Sequence, residues 1–98
     1  MSSLTAITAE LFESLLGKEI SVATASGVET WRMDRVLRRE RHGVREDQPF
    51  AAYLHAPVTN NRLQGMCQAA LPDGGTIEFF SVPISADANA VVHEVIFN

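Results

Sequence analysis

Residues 19–37 read EISVATASGVETWRMDRVL. Ile20, Val22 and Thr24 fall on one side of the chain and Ser21, Ala23 and Ala25 on the other, the period-two pattern of a half-buried strand. Ser26-Gly27 is a tight-turn signal. Beyond it Trp31, Met33 and Leu37 share a side, with Arg32 and Asp34 opposite. The spacing predicts a hairpin with Trp31 and Met33 facing inward. Arg35 carries the inward parity, and a charged side chain does not belong there. The second strand must therefore bulge or leave the core at Arg35.

Working outward, TAELFESLLG (8–17) changes to helical spacing, with Leu11, Phe12, Leu15 and Leu16 on one face. Thr8 suits the N-cap, Glu10 the first turn and Gly17 the left-handed C-cap. Two to three turns are marginal alone, so the helix must cap or plug a sheet. C-terminal to the hairpin, RRERHGVREDQ (38–48) reads as a solvated loop. PFAAYLHA (49–56) is a strand with Phe50, Ala52 and Leu54 on one face. VTNNR (58–62) is a polar loop, LQGMCQAAL (63–71) a strand and PDGG (72–75) a turn. TIEFFSVPI (76–84) is a strand whose Pro83 argues for an edge or a strand end. SADANA (85–90) is a loop and VVHEVIFN (91–98) a last strand.

One helix and six short strands joined by short connections predict a mainly β (α+β) domain. Its architecture is a short N-terminal helix packed on a six-stranded antiparallel barrel or roll. A chain of 98 residues, 46% of them hydrophobic, has room for one core, so residues 1–98 are read as a single domain. The expected core is Leu11, Phe12, Leu15, Leu16, Ile20, Val22, Trp31, Met33, Phe50, Leu54, Cys67, Phe79, Val95 and Phe97.

Charge narrows function. The net charge of -4 opposes general nucleic-acid binding, which needs a cationic face. No apolar run approaches the roughly 20 residues of a membrane span, and Glu10 and Glu13 interrupt the N-terminal apolar stretch, against a secretory signal. One cysteine cannot close an intramolecular disulfide, so a cytoplasmic location is expected. The charge is uneven. Arg32, Arg35, Arg38, Arg39, Arg41 and Arg45 stand against Asp34 and Glu40, a local balance of 6 minus 2, which leaves -8 for the rest. Arg38, Arg39, Arg41 and Arg45 are the candidate docking surface for an acidic protein, because the guanidinium fork pairs carboxylates.

Catalytic chemistry finds little support. Gln64-Gly65-Met66-Cys67 resembles the opening of the papain-type cysteine protease signature. The nucleophile of that signature lies three residues further on, where this chain has Ala70. Strand parity instead puts Cys67 on an apolar face with Leu63, Gly65, Ala69 and Leu71, as a small core residue. His42, His55 and His93 include no pair at metal-ligand spacing, and Cys67 has no C-x-x-C partner. Spacing thus predicts no catalytic residue, no metal and no cofactor, and only convergence of separated strands could build a site. His55 and His93 are read as barrel-face positions with one nitrogen satisfied. Asp73 and Asp87 are read as turn supports.

Five phrases recur in order: FESLLGKEI, QPFAAYLHAP, LQGMCQAAL, IEFFSVPIS and HEVIFN. Together they resemble a family of small, uncharacterised bacterial β-rich proteins, a domain of unknown function with Phe-x-x-Leu-x-Gly, Gln-Gly and terminal Phe-Asn motifs. This chain has Cys67 where that pattern has an aromatic and His93 where it has a tyrosine. The resemblance implies a compact β-rich fold and assembly work, phage-tail-like or secretion-related, with no assigned reaction. The expected function is therefore a non-enzymatic protein-interaction or structural accessory module; the alternative is a small-ligand-binding β-barrel. The apolar strand 91–98 must pair inside the closed sheet or make a strand-to-strand contact in a homo-oligomer. Deleting residues 94–98 is expected to abolish soluble expression, and a folded truncation by circular dichroism would show that strand to be misplaced.

Overall fold

The computed structural model describes residues 7–38 and 49–97. It contains helix α1 (Ala9–Ser14) and strands β1 (Glu19–Thr24), β2 (Gly27–Arg38), β3 (Phe50–Ala56), β4 (Gly65–Ala70), β5 (Thr76–Ala86) and β6 (Val91–Phe97). The strands close into a barrel in the order β1-β2-β3-β6-β5-β4, with every neighbouring pair antiparallel. The expected mainly β class, with its helix and six-stranded barrel, is what the chain adopts. Two meanders, β1-β2-β3 and β4-β5-β6, are joined first strand to first and last strand to last. Their strands run 6, 12 and 7 residues in one and 6, 11 and 7 in the other. The long middle strand of each carries one bulge, at Met33/Arg35 in β2 and Pro83/Ser85 in β5.

The β2 bulge falls where the misplaced parity of Arg35 required it. Arg35 turns outward and lays its guanidinium 4.7 Å from the centre of the Tyr53 ring, a cation–π contact. The same shift overturns one expectation: Leu37 is exposed and the half-buried Val36 takes the inward place. Pro83 lies neither at an edge nor at a strand end. Its bulge absorbs the missing N–H inside a closed sheet, and β5 runs on to Ala86. Arg38 closes β2 instead of opening a loop. The remainder of the 38–48 segment lies outside the described residues.

The barrel interior is filled by alternation: Ile20, Val22, Trp31, Met33, Leu54, Cys67, Ile77, Phe79 and Val95 are buried. One end is plugged by α1. Thr8 caps it, its Oγ1 accepting from the Leu11 N–H at 3.0 Å. Phe12 is fully buried, with ring centres 5.4 Å from Phe50, 5.4 Å from Phe97 and 6.5 Å from Phe79. Those edge-to-face contacts are the favoured aromatic arrangement. The helix is shorter than its apolar spacing suggests. It ends at Ser14 and the chain turns through Gly17 at φ 78°, so Leu16, expected in the core, is 43% exposed. Leu11 and Phe97 are only partly buried at the rim of the plug. Gly17 N–H donates to the Met33 carbonyl at 2.8 Å and Met33 N–H to the Lys18 carbonyl at 3.0 Å, which welds the helix exit to the β1–β2 ladder.

Phe12→Ala should cost about 3–5 kcal/mol, because it empties the plug without removing its walls. Urea unfolding monitored by Trp31 fluorescence reads the loss as a lower midpoint; an unchanged midpoint would show that the plug contributes nothing.

Candidate functional site

The end of the barrel away from α1 is built around a polar side chain from a loop. After Pro57 the chain turns, and the Asn60 N–H donates to the Pro57 carbonyl at 2.9 Å. This folds the Asn60 side chain into the barrel mouth, where it is buried. Its Nδ2 donates to Glu29 Oε1 at 2.7 Å, and that carboxylate oxygen also accepts from Trp31 Nε1 at 2.9 Å. Asn60 Oδ1 accepts from the Arg62 N–H at 2.9 Å, an Asx turn that accompanies the left-handed φ of 59° at Arg62. The same Oδ1 lies 2.9 Å from His93 Nε2.

These partners set the tautomer of His93. The Asn60 amide nitrogen is committed to Glu29, so its oxygen faces the imidazole and His93 Nε2 carries the proton. Nδ1 is left as a bare acceptor. It is enclosed and has no hydrogen-bond partner, in a residue only 1% exposed. The ring stacks on Trp31 at 4.4 Å between centres. Burial pushes the His93 pKa below its ordinary value, against a smaller upward pull from Glu29. The imidazole is therefore neutral at neutral pH.

Cys67 is buried on the neighbouring wall, its Sγ 3.5 Å from Ser81 Oγ and 3.8 Å from the Gly65 carbonyl. Register explains the meeting: Gly65 pairs with Ser81 and Cys67 with Phe79 across β4 and β5. Cys67, His93 and Trp31 line one cavity of about 80 Å³, whose mouth includes Ser26, Asn61 and Leu63. This end of the barrel offers an enclosed nitrogen acceptor, a thiol and an indole face. The expectation that Cys67 packs in the core holds, and His93 has the one satisfied nitrogen expected of it. Ser81 lay on the inward parity with Ile77 and Phe79 and was legible in the alternation. Asn60 and Glu29 were not: a loop asparagine carries no periodicity, and the role of Glu29 appears only once Trp31 and Asn60 meet it.

The remaining candidates stand on the outer surface. His55 lies between Asp34 Oδ2, 3.3 Å from its Nε2, and Arg32 Nη2, which donates to its Nδ1 at 3.1 Å. Asp73 and Asp87 support turns as expected, accepting from Gly75 N–H at 2.8 Å and from Asn89 N–H at 2.7 Å. Of the four arginines assigned to docking, the structure places Arg38 against α1. Its Nε and Nη2 donate to the two Glu13 oxygens at 2.9 and 2.7 Å, and Nη2 reaches Glu10 Oε1 at 3.2 Å. The Glu13 carboxyl is held below its usual range by those Arg38 bonds, and the Glu10 carboxyl by a backbone bond and then Arg38. Arg39, Arg41 and Arg45 lie outside the described residues.

An apolar row crosses the outer wall. Leu37 on β2 and Ile96 on β6 both pair with Ala51 of β3, which is itself buried between them. Phe80 and Ile96 each lie two residues beyond the Val82–Glu94 pair on the same parity, and Phe80 pairs with Met66. Phe80 is 47% and Met66 59% exposed, and Leu37 and Ile96 are exposed as well.

These features define a class: a small closed antiparallel barrel, plugged at one end by a helix and holding a polar network at the other. The chain belongs to the family described as Domain of unknown function (DUF6916), whose model matches residues 7–97. Neither a curated protein nor a solved structure matches it. Among the described residues no helix is long and apolar enough to cross a membrane.

Asn60→Ala would strand the His93 N–H and remove one partner of Glu29, and should cost about 2 kcal/mol. Urea denaturation with an unchanged m-value reads that loss directly; stability equal to the parent would show that the network carries no weight.

Proposed function

We propose that the chain is a non-enzymatic interaction module that binds an acidic protein across its outer wall. The observation that carries this reading is the exposed row Leu37, Ile96, Phe80 and Met66. Isolated exposed apolar residues are ordinary, but a row spanning neighbouring strands is the kind of patch that marks an interaction surface. The row begins at Leu37, and the arginine-rich segment follows it in sequence. An apolar row that continues in sequence into an arginine-rich segment suits a partner with an apolar face and acidic residues. The competing reading, a small-ligand barrel, has less support. The interior holds Trp31, Phe79, Leu54 and Ile77, and the cavity at its mouth is about 80 Å³. Pockets for drug-sized ligands run to about 300–1,000 Å³.

The test is affinity capture of native assemblies by the parent chain and two double variants. We expect capture of a protein of net negative charge, weakened by raised salt. Phe80→Glu with Ile96→Glu should reduce it at least about tenfold, since central apolar contacts dominate interface energy. Ser21→Glu with Ala23→Glu, on the outer face of β1, should not. Capture that ignores the Phe80 and Ile96 changes, or self-association of the pure chain through the same row, would overturn the reading.

A further inference from the structure

The Cys67–His93 cavity is not explained by docking on the outer wall. Its geometry points to a second property: we propose that it takes up one soft monovalent cation of the copper(I) class, held between Cys67 Sγ and His93 Nδ1. The argument begins with the imidazole. A ligating histidine presents one bare nitrogen and anchors the other N–H on a fixed acceptor, which sets tautomer and ring orientation. His93 has this arrangement: Nε2–H is held by Asn60 Oδ1 at 2.9 Å, and Nδ1 is buried without a partner. The acceptor is itself fixed by the Arg62 N–H at 2.9 Å and by Glu29 at 2.7 Å. A bare buried acceptor is costly unless something fills its position. Cys67 lines the same cavity as His93.

The donor set selects the ion. Among the described residues no three of His, Cys, Asp and Glu gather into a metal-holding group. A closed tetrahedral zinc site needs four such ligands, and calcium or magnesium needs several oxygens. One thiolate and one imidazole instead suit a d10 cation that accepts two-coordination, and soft sulfur ligands favour copper(I). Ser81 Oγ, 3.5 Å from Sγ, is placed to donate to the thiolate that forms. The about 80 Å³ of space holds a single ion with little else. On binding, the Cys67 S–H bond breaks, its proton passes to buffer and an S–metal bond forms, while the His93 lone pair completes the pair. No electron is transferred. Spacing alone could not place Cys67 of β4 and His93 of β6 on one cavity.

Silver(I) is the redox-silent probe. The full chain is titrated in chloride-free buffer, with native mass spectrometry for stoichiometry and Trp31 fluorescence for binding, since Trp31 stacks on the His93 ring. One ion per chain and a change in Trp31 emission are expected. Cys67→Ser should abolish the one-to-one complex, and His93→Gln should weaken it at least about tenfold. Zinc(II) should leave the emission unchanged. Should His93→Gln fail to fold, nitrogen-15 NMR of the parent decides: silver must move the His93 Nδ1 resonance away from its bare-nitrogen position. Equal binding by Cys67→Ser, unaltered affinity of folded His93→Gln, or an unmoved Nδ1 signal would each overturn the site.

Discussion

The antiparallel pairing of β6 with both β3 and β5 is the constraint on which the rest of the structure depends. β6 meets β3 along Val91–Phe97 and β5 along Val91–Glu94. With the β1–β4 pairing it turns two meanders into a closed sheet without an exposed edge. Closure then dictates everything inside. Six strands enclose a narrow interior that must be filled by their alternate side chains. One end is completed by Phe12 among Phe50, Phe79 and Phe97. The other end is where inward parity delivers His93 and Ser81 to a place without bulk water.

That delivery explains the loop between β3 and β4. A buried imidazole with no partner is expensive, and each polar group taken out of water needs its own hydrogen bond. Asn60 meets this need by joining His93 to Glu29, which in turn receives the Trp31 indole N–H. The network leaves a single acceptor unmatched, His93 Nδ1, in a residue that shares a cavity with Cys67. Two different surfaces follow from the same closure: a cavity lined by Cys67 and His93 within, and an apolar row of outward residues without. Neither depends on the other, since one uses the inward and the other the outward parity of the same strands.

Legibility in the sequence followed the range of the forces involved. The hairpin over residues 19–37, the Thr8 cap, the inward Trp31 and Met33, and the Arg35 bulge are all short-range consequences of alternation, turn chemistry and charge burial, and they were readable. Leu37 was misplaced because the bulge reverses the faces of the β2 residues after it, and Leu16 because the helix stops at Ser14. Pro83 was read as an edge signal because its missing N–H is a local fact, while its accommodation in a bulge between β5 and β6 is not. The candidate site was only partly legible: parity put Cys67 inside and His93 on a barrel face, but their neighbours came from elsewhere in the chain.

By itself the sequence determined the element order, the buried face of β1 and of β2 as far as Met33, and the family of the protein, since these rest on neighbouring residues and on motif order. Only the tertiary structure decided which strands meet, that Asn60 enters the barrel, that Arg38 clamps Glu13 and that Cys67 and His93 share a cavity. Those facts join residues 25 or more positions apart in the sequence for Arg38–Glu13 and for Asn60–His93. Contacts of that kind arise from closing the barrel, and no local pattern of residues encodes which loop will be drawn into its mouth.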